Sequence, residues 1–333
     1  MSPKVTVIIS AYQKASYLPQ TIQSVLDQTF RDFELLIVDD GSTDNTRQVV
    51  EEIAARDSRV HYLYQENQGP SGARNTGVKH AAAEIIALLD GDDAWEPDKL
   101  AYQVQMMDQF PTIDLMFTNS KWVNTAEEEI QEESTYFHAY VMREFAMESP
   151  PSASDLFRLN QQPNDLAATL FRKNVINLST VILRRRVFDR VGNFEPSLRG
   201  PEDLDYWVRV ALAGMQYAYS SRITATYFKN AGSLVQMRNE STQLNLLKYA
   251  LHAFQAPLYE PLRPMTRDLV RTRYKGLIAF YVQDGQRAKA LQAFRDGQKY
   301  GLGARAFLLA AFGRAGTLRM YQQVRQRLSR RAS

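Results

Sequence analysis

Two groups of aspartates follow strand-like segments within the first hundred residues. Asp39 and Asp40 close one aliphatic run, and the segment 90–93, with the sequence Asp-Gly-Asp-Asp, closes a later one. Clustered carboxylates repel one another, and the usual remedy is a hard divalent cation with oxygen ligands, Mg²⁺ or Mn²⁺, which keeps positions for phosphate oxygens. The alternative is that these residues only form turns after strands. Two paired groups at one sheet edge favour the metal site.

A third acidic pair, Glu202 and Asp203, comes directly after Gly200 and Pro201. Proline is typical of the first turn of a helix, so a helix is predicted to begin here. A carboxylate in that turn faces unpaired N–H groups and the positive end of the helix dipole, which are expected to hold it ionised. The alternative is that both residues are only first-turn helix acids.

Alternating strands and helices are predicted to position the two aspartate groups. Strands are expected at residues 5–9, 33–38, 60–64 and 84–89, with amphipathic or glycine-rich helical segments between them. This order is typical of a mostly parallel sheet, whose strands all end at the edge that binds ligands. Farther along, residues 121–174 predict helices and long loops, and residues 178–183 predict a strand.

The rest of the chain predicts helices only. Beyond about Ser241 the strand patterns disappear, and a helical hairpin is expected to turn at residues 283–285. We therefore expect three parts: two halves of an α/β domain, at residues 1–120 and 121–240, and a helical extension at 241–333.

Composition excludes several classes of protein. Among 333 residues, 44% are hydrophobic and 23% are charged, as in globular proteins, and there is no cysteine. Disulfides, thiolate nucleophiles and cysteine metal sites are therefore excluded. The first residues lack the pattern of an export signal, and no run of 18 apolar residues occurs, so a cytoplasmic location is expected.

The net charge of +3 hides an uneven distribution. Residues 301–333 contain seven arginines and no acidic residue, so the first 300 residues are acidic overall. One interpretation is a basic helix that contacts the inner face of an anionic membrane. Another is an ordinary amphipathic helix with solvated arginines. Nucleic-acid binding is not expected, because the body is acidic and no recognition motif is present.

Six segments in order resemble the family 2 inverting glycosyltransferases of the GT-A fold, over about residues 3–235. They are residues 5–12 (VTVIISAY), 38–44 (VDDGSTD), 72–75 (GARN), 90–93 (DGDD) and the pair 185–194 (RRVFDRVGNF) with 202–207 (EDLDYW). The resemblance implies a Rossmann-like, mostly parallel α/β sheet flanked by helices, here with a C-terminal helical extension. Residues 1–120 would form its nucleotide-sugar-binding half, and residues 121–240 its acceptor-binding half with the catalytic base. It also implies metal-dependent, inverting transfer of one sugar from a nucleotide-sugar donor, UDP-linked by preference, to an acceptor hydroxyl.

The resemblance also implies roles for individual residues. Asp203 would be the general base, the metal would bind Asp92 and Asp93 jointly, and Glu202, Tyr206 and Trp207 would lie on the acceptor side. The remaining positions would bind the nucleotide sugar: Ser10, Ala11 and Tyr12 at the base, Asp40 at a ring N–H, Arg74 near base or phosphates, and Asp90 and Asp92 in the Asp-x-Asp signature.

The sequence departs from the family pattern in two places. Asn230 stands where many members have a histidine near the metal or diphosphate. The Gln-x-x-Arg-Trp motif of processive members is absent, which favours transfer of a single sugar.

The expected partners are the donor and a glycan or lipid-linked acceptor, in cell-surface polysaccharide or glycoconjugate synthesis; the oligomeric state stays open. Two alternative functions were considered. One is a nucleotidyltransferase, although this chain lacks the glycine-rich basic signature of that class, and the other is a catalytically silent carbohydrate-binding protein.

Overall fold

Strands and helices alternate through the N-terminal part of the chain. The computed structural model describes residues 2–124, 129–131, 134–145, 147–148, 155–159, 161–229, 239–303, 306 and 309–311. Its first elements are β1 (Val5–Ala11), α1 (Leu18–Leu26), β2 (Phe33–Asp39), α2 (Thr46–Ala54), β3 (Val60–Tyr64), α3 (Gly69–His80) and β4 (Ile85–Asp90). The four predicted strands and the three connecting helices are thereby confirmed.

Shorter strands and further helices follow. They are β5 (Ala94–Trp95), α4 (Lys99–Gln109), β6 (Leu115–Asn124), β7 (Glu129–Gln131), α5 (Ser134–Glu144), β8 (Met147–Glu148), β9 (Leu156–Leu159), α6 (Pro163–Arg172), β10 (Ile182–Arg184), α7 (Arg185–Val191), α8 (Glu202–Leu212) and β11 (Tyr217–Lys229). The prediction of helices and long loops for residues 121–174 is incomplete, because this segment also adds strands to the sheet.

One central sheet takes the order β3-β2-β1-β4-β10-β6-β11-β9-β8. The first four strands are parallel, whereas β10 runs antiparallel to both of its neighbours and β11 is again parallel to β6. The predicted parallel character therefore holds for the N-terminal half, and the other half is mixed. In register, Ser10 lies opposite Asp90, and Ala11 lies opposite Asp39. The acidic groups after β2 and β4 thus flank the end of β1.

Helices cover both faces of the parallel half. On one face, Val7 and Ile9 belong to a buried cluster with Leu18 and Ile22 of α1. On the other face, Ile8 packs against α3 so closely that a Cβ at Gly77 would lie 2.4 Å from its Cγ2. The alternation along β1 is that of a strand buried on both sides, which holds its carboxyl end in a fixed place.

The strand predicted at residues 178–183 begins later than expected. Leu178–Thr180 form a turn of 3₁₀ helix, and the strand proper is β10. The Asn177 side chain accepts a hydrogen bond from the backbone N–H of Ser179, which stabilises the turn in place of an extended chain. This difference matters for the site, because Ser179 reaches the aspartate loop.

The chain divides into two compact units, residues 1–233 and 234–333. The described part of the second unit is helical, with α9 (Glu240–Gln255), a 3₁₀ segment (Pro257–Leu262), α10 (Arg263–Gln283) and α11 (Arg287–Gln298). The predicted hairpin turn between α10 and α11 is confirmed, and Leu277, Ile278 and Phe294 help to form its core. Asn230 and the tail arginines lie outside the described residues. No described helix has the length and hydrophobicity to span a bilayer.

Candidate active site at the carboxyl edge of the sheet

The end of β1 offers one exposed aromatic ring beside the aspartates. The Tyr12 side chain is 50% exposed, whereas Ala11 is buried and Ser10 is half-buried. All three lie at the edge where the parallel strands end. The exposed ring gives a planar surface on which a base can stack, while Ser10 and Ala11 can contact a ligand mainly through their backbone. Their predicted contact with a nucleotide base stays a prediction.

The aspartates after β2 hold local structure in place. Asp39 accepts hydrogen bonds from the Ser42 N–H at 2.8 Å and from the Tyr62 hydroxyl at 2.7 Å. Asp40 accepts three, from the backbone N–H groups of Gln68 and Gly69 and from the Gln65 amide, at 2.6–2.8 Å. Asp40 is 3% exposed and thus fixes the start of α3. A base N–H would have to reach the second lone pair of its Oδ2.

The loop after β4 places its two adjacent carboxyl groups in different environments. Asp92 is part-exposed, with 26% of its side chain accessible, and forms an ion pair with the Lys14 ammonium. Asp93 is 1% exposed and accepts hydrogen bonds from the Ser179 hydroxyl and, more weakly, from the Phe228 N–H. Burial, reinforced by nearby Asp90, raises the pKa of the Asp93 carboxyl well above its ordinary value. Of these two carboxyl groups, Asp92 is the more accessible, and their joint binding of a metal stays a prediction.

Arg74 joins three elements of the site. Its guanidinium lies on α3 and forms ion pairs with Asp90 at 2.9 Å and with Glu202 at 3.0 Å. It is 5% exposed and stacks over the ring of Phe194. Burial alone would lower the pKa of Arg74, but the two carboxylates raise it overall, so the group stays charged. Arg74 therefore has a structural role, because it links the end of β4 to the start of α8. Its expected role near the base or phosphates of a nucleotide stays a prediction.

Asp203 lies in the first turn of α8 with two hydrogen-bond donors. The Asn174 amide donates to Oδ2 at 2.9 Å, and the Leu204 N–H donates to Oδ1 at 2.6 Å. Burial, followed by repulsion from Glu202, raises the pKa of Asp203 to about 7, although Arg74 and both donors act in the opposite direction. The expectation that the helix start keeps this group firmly ionised is therefore not met. A pKa near 7 is nevertheless the value that suits a general base at neutral pH.

The three residues predicted on the acceptor side are buried. Glu202 is 5% exposed and accepts bonds from Arg74 and from the Gly200 N–H. The rings of Tyr206 and Trp207 are fully buried, and that of Tyr206 stacks on Phe194 with ring centres 4.1 Å apart. The structure does not support acceptor contact for Tyr206 and Trp207, because neither ring has an accessible face for a sugar, and both pack with Phe194. Acceptor contact by Glu202 stays a prediction.

Three residues of the site were not found by sequence reasoning. Lys14 meets Asp92, Asn174 meets Asp203, and Ser179 meets Asp93. Lys14 stands just beyond the first motif and carried a detectable signal, since a lone lysine near a strand end faces the aspartate edge. Asn174 and Ser179 carried none, because their partners are 29 and 86 residues away.

The residues at this edge fit a divalent cation held together with a ligand. Among the described residues, no three acidic or histidine side chains converge on one point as a complete metal site. Two part-exposed carboxylates are present, Asp90 at the end of β4 and Asp92 in the loop after it. That donor set suits Mg²⁺ or Mn²⁺, which commonly use one or two carboxylates and complete their coordination with substrate phosphates and water.

Comparisons with known proteins agree with this geometry. The family model described as Glycosyl transferase family 2 matches residues 6–157. An uncharacterized glycosyltransferase of Rickettsia felis is 30% identical over 267 residues, which make up 80% of this chain and 40% of that protein. The Escherichia coli UDP-Glc:alpha-D-GlcNAc-diphosphoundecaprenol beta-1,3-glucosyltransferase WfgD is 41% identical over 121 residues, 36% of this chain and 47% of WfgD. The chain thus spans less than half the length of either relative.

Two solved structures share the fold at low sequence identity. Staphylococcus aureus TarS 1–349 in complex with UDP-GlcNAc has a TM-score of 0.59 at 18% identity, covering 98% of this chain and 92% of that one. Mannosyltransferase PcManGT from Pyrobaculum calidifontis, in complex with GDP-Man and Mn²⁺, has a TM-score of 0.55 at 19% identity, covering 100% and 85%. The chain therefore carries a glycosyltransferase family 2 segment at residues 6–157, in a GT-A fold.

Proposed function

We propose that the protein transfers a single sugar from a nucleotide-sugar donor to an acceptor hydroxyl, with inversion at the anomeric carbon. The observation that carries the proposal is the Arg74 bridge. It joins Asp90, at the edge where the donor would bind, to Glu202, the neighbour of Asp203. One buried cation thus couples the donor-binding edge to the group that would act as base.

The donor would lie across the ends of β1, β2 and β4. In this proposal Tyr12 stacks on the base, Ser10, Ala11 and Asp40 line its edge, and Asp90 contacts the ribose. A UDP-linked sugar is preferred, which is supported by the UDP-Glc in the name of WfgD and by the UDP-GlcNAc in the TarS complex. PcManGT holds GDP-Man, so a guanine nucleotide is the alternative donor.

Asp92 would hold the divalent cation, with Asp93 supporting the loop from behind. When bound, Mg²⁺ or Mn²⁺ supplies a Lewis acid that stabilises negative charge on the departing diphosphate. The Mn²⁺ in the PcManGT complex supports a metal-dependent reaction of this kind. The chain's own contribution is the negative charge of Asp92 and the fixed position of the loop after β4.

Asp203 would take the proton of the acceptor hydroxyl while its oxygen attacks the anomeric carbon. The bond from that carbon to the diphosphate breaks in the same step, so the configuration inverts. Asn174 orients the carboxylate, because its amide donates to Oδ2. General-base assistance of this kind contributes roughly 10²–10⁴-fold to a rate.

The acceptor is proposed to be a glycan or a lipid-linked sugar in cell-surface polysaccharide or glycoconjugate synthesis. The support is the diphosphoundecaprenol-linked substrate named for WfgD. An enzyme that uses a lipid-linked acceptor must act at a membrane surface. We therefore also propose a cytoplasmic location close to the inner face of the membrane. Contact through the basic tail stays a sequence prediction.

The proposed function is tested by assaying the protein with a series of nucleotide-sugar donors. The protein is incubated with UDP-, GDP- and dTDP-sugars, Mn²⁺ and candidate acceptors, and the released nucleotide is identified. Release of a nucleoside diphosphate, with transfer of the sugar, is expected. Formation of pyrophosphate would indicate a nucleotidyltransferase, and nucleotide binding without turnover on any donor and acceptor would indicate a silent binding protein.

A further inference from the structure

Lys14 lies in the connection between β1 and α1 and reaches over the aspartate loop. Its ammonium forms an ion pair with Oδ2 of Asp92, and both side chains are part-buried, with 28% and 26% accessible. The same ammonium lies 5.3 Å from the ring centre of Tyr17. The carboxylate proposed to hold the metal is therefore already balanced by a cation of the chain itself.

The backbone that carries Lys14 is held from both sides. Gln13, with a φ of 54°, donates from its N–H to Ser42 at 2.9 Å and from its amide to Thr43 at 2.7 Å. On the other side, the Lys14 carbonyl accepts the N–H groups of Tyr17 and Leu18 at 2.9 and 3.0 Å. The main chain is thus fixed, and only the flexible four-carbon side chain can redirect the charge.

Gly91 permits the close approach of the two loops. A Cβ at this position would lie 3.0 Å from the Ser10 carbonyl oxygen and 3.5 Å from Cγ of Lys14. Because a hydrogen replaces that methyl group, the turn fits beneath the lysine stem and brings Asp92 within reach of the ammonium. The ion pair is therefore a consequence of loop packing.

We propose that Lys14 is an internal counter-ion that makes binding of the metal and of the donor diphosphate cooperative. The inference rests on the proposed function. With neither ligand bound, the ammonium occupies Asp92 and competes with a divalent cation. When a diphosphate arrives beside Asp92, the ammonium moves to its phosphate oxygens and releases the carboxylate to the metal. Arg74 is poorly suited to this exchange, because it is 5% exposed and paired with two carboxylates.

The thermodynamic consequence is reciprocal. If the diphosphate relieves competition at Asp92, it raises the affinity for the cation, and the cation must raise the affinity for the diphosphate by the same factor. Replacing Lys14 by a neutral side chain of similar length removes the competitor. The cation alone should then bind more tightly, and its dependence on the nucleotide should weaken.

The test is titration of Mn²⁺, with free Mn²⁺ measured by electron paramagnetic resonance, with and without saturating UDP or GDP. For Lys14→Met we expect about fivefold tighter binding of Mn²⁺ alone, the upper range for a part-exposed ion pair. The factor by which the nucleotide strengthens Mn²⁺ binding should fall to a similar extent. Lys14→Arg keeps the charge and should remain close to wild type.

Lys4→Met is the matched control, because Lys4 also forms an ion pair with an aspartate, Asp108 at 2.8 Å, at the start of β1. It should behave as wild type in both titrations. If Lys14→Met binds Mn²⁺ with wild-type affinity, and the nucleotide strengthens that binding by the wild-type factor, the role of Lys14 is wrong. The proposed function would not be affected by that result. A wild-type protein that binds neither UDP nor GDP in the presence of Mn²⁺ would contradict the proposed function as well.

Discussion

Asp203 combines a raised pKa with a hydrogen bond that partly opposes the rise. Burial and Glu202 favour the protonated form, whereas the Asn174 amide and the Leu204 N–H favour the ionised form. The balance, a pKa of about 7, makes the carboxylate basic enough to accept a proton and still ionised to a useful extent at neutral pH. Together with Arg74, which also lowers this pKa, the residues that tune the proposed base come from three separate segments of the chain.

The rate of transfer should depend on pH through this group. Since the base must be unprotonated, kcat/KM is expected to fall about tenfold per pH unit below about 7. Asn174→Ala removes a donor that stabilises the ionised form, so the acidic limb should move to higher pH, by roughly half a unit to one unit. The measurement is the pH profile of kcat/KM for both proteins. An unchanged limb in Asn174→Ala would contradict the positioning role of Asn174.

Asp203 should also reduce the stability of the fold above neutral pH. Because its pKa is higher in the folded protein than the ordinary 3.8, the folded state binds the proton more tightly, and this group's contribution to stability falls as pH rises from about 4 to about 7. Asp203→Asn is expected to raise the free energy of unfolding at pH 8 by roughly 1–3 kcal/mol. Denaturant unfolding at pH 4 supplies the control, where the gain should largely disappear.

At the scale of elements, the site is an assembly of strand ends and one helix start. The register between β1, β2 and β4 brings Ser10, Asp39 and Asp90 to one edge, and Arg74 attaches α8 to that edge. Helix α8 is further anchored by the fully buried Tyr206 and Trp207. The geometry of the proposed base thus depends on packing as much as on hydrogen bonds.

Removal of the Arg74 charge should loosen this assembly. Arg74→Met leaves the buried carboxylate of Glu202 without its ion-pair partner, at an expected cost of about 3 kcal/mol in the free energy of unfolding. The double variant Arg74→Met with Glu202→Gln should recover part of that loss, because the buried charge is also removed. Arg47→Met is the control, since the Arg47–Glu51 pair is exposed and its removal should leave the free energy of unfolding almost unchanged. The free energy of unfolding of all three variants is measured by thermal and denaturant unfolding. If the single and double Arg74 variants lose equal stability, the ion pair between Arg74 and Glu202 does not stabilise the fold as proposed.

Local patterns predicted the elements well and the side-chain environments less well. Strand ends and their aspartates follow from hydrophobic runs and turn residues that are neighbours in sequence. The distinction between Asp92 and Asp93 depends on Ser179 and Phe228, which lie 86 and 135 residues from Asp93. The pairing of Arg74 with Glu202 spans 128 residues, and the burial of Tyr206 depends on Phe194. Contacts of this kind are decided by tertiary packing, which a single sequence does not display.

At the scale of the whole molecule, the site belongs to the first of two compact units. All the side chains of the candidate site fall within residues 1–233, and the described elements of the second unit are helical. The expected halves at residues 1–120 and 121–240 both contribute, the first through Asp40, Arg74 and Asp92 and the second through Asn174 and Asp203. The proposed chemistry therefore depends on segments from both halves of the sheet.

In the proposed mechanism Asp203 acts as the base, and the site binds the nucleotide independently of Asp203. The direct test is the rate of nucleoside diphosphate release with donor, Mn²⁺ and acceptor for Asp203→Asn and wild type, at donor concentrations that give equal occupancy. We expect a rate reduced by roughly 100-fold or more, with UDP or GDP affinity within about twofold of wild type. An Asp203→Asn protein that transfers sugar at the wild-type rate would contradict the role of Asp203 as the base.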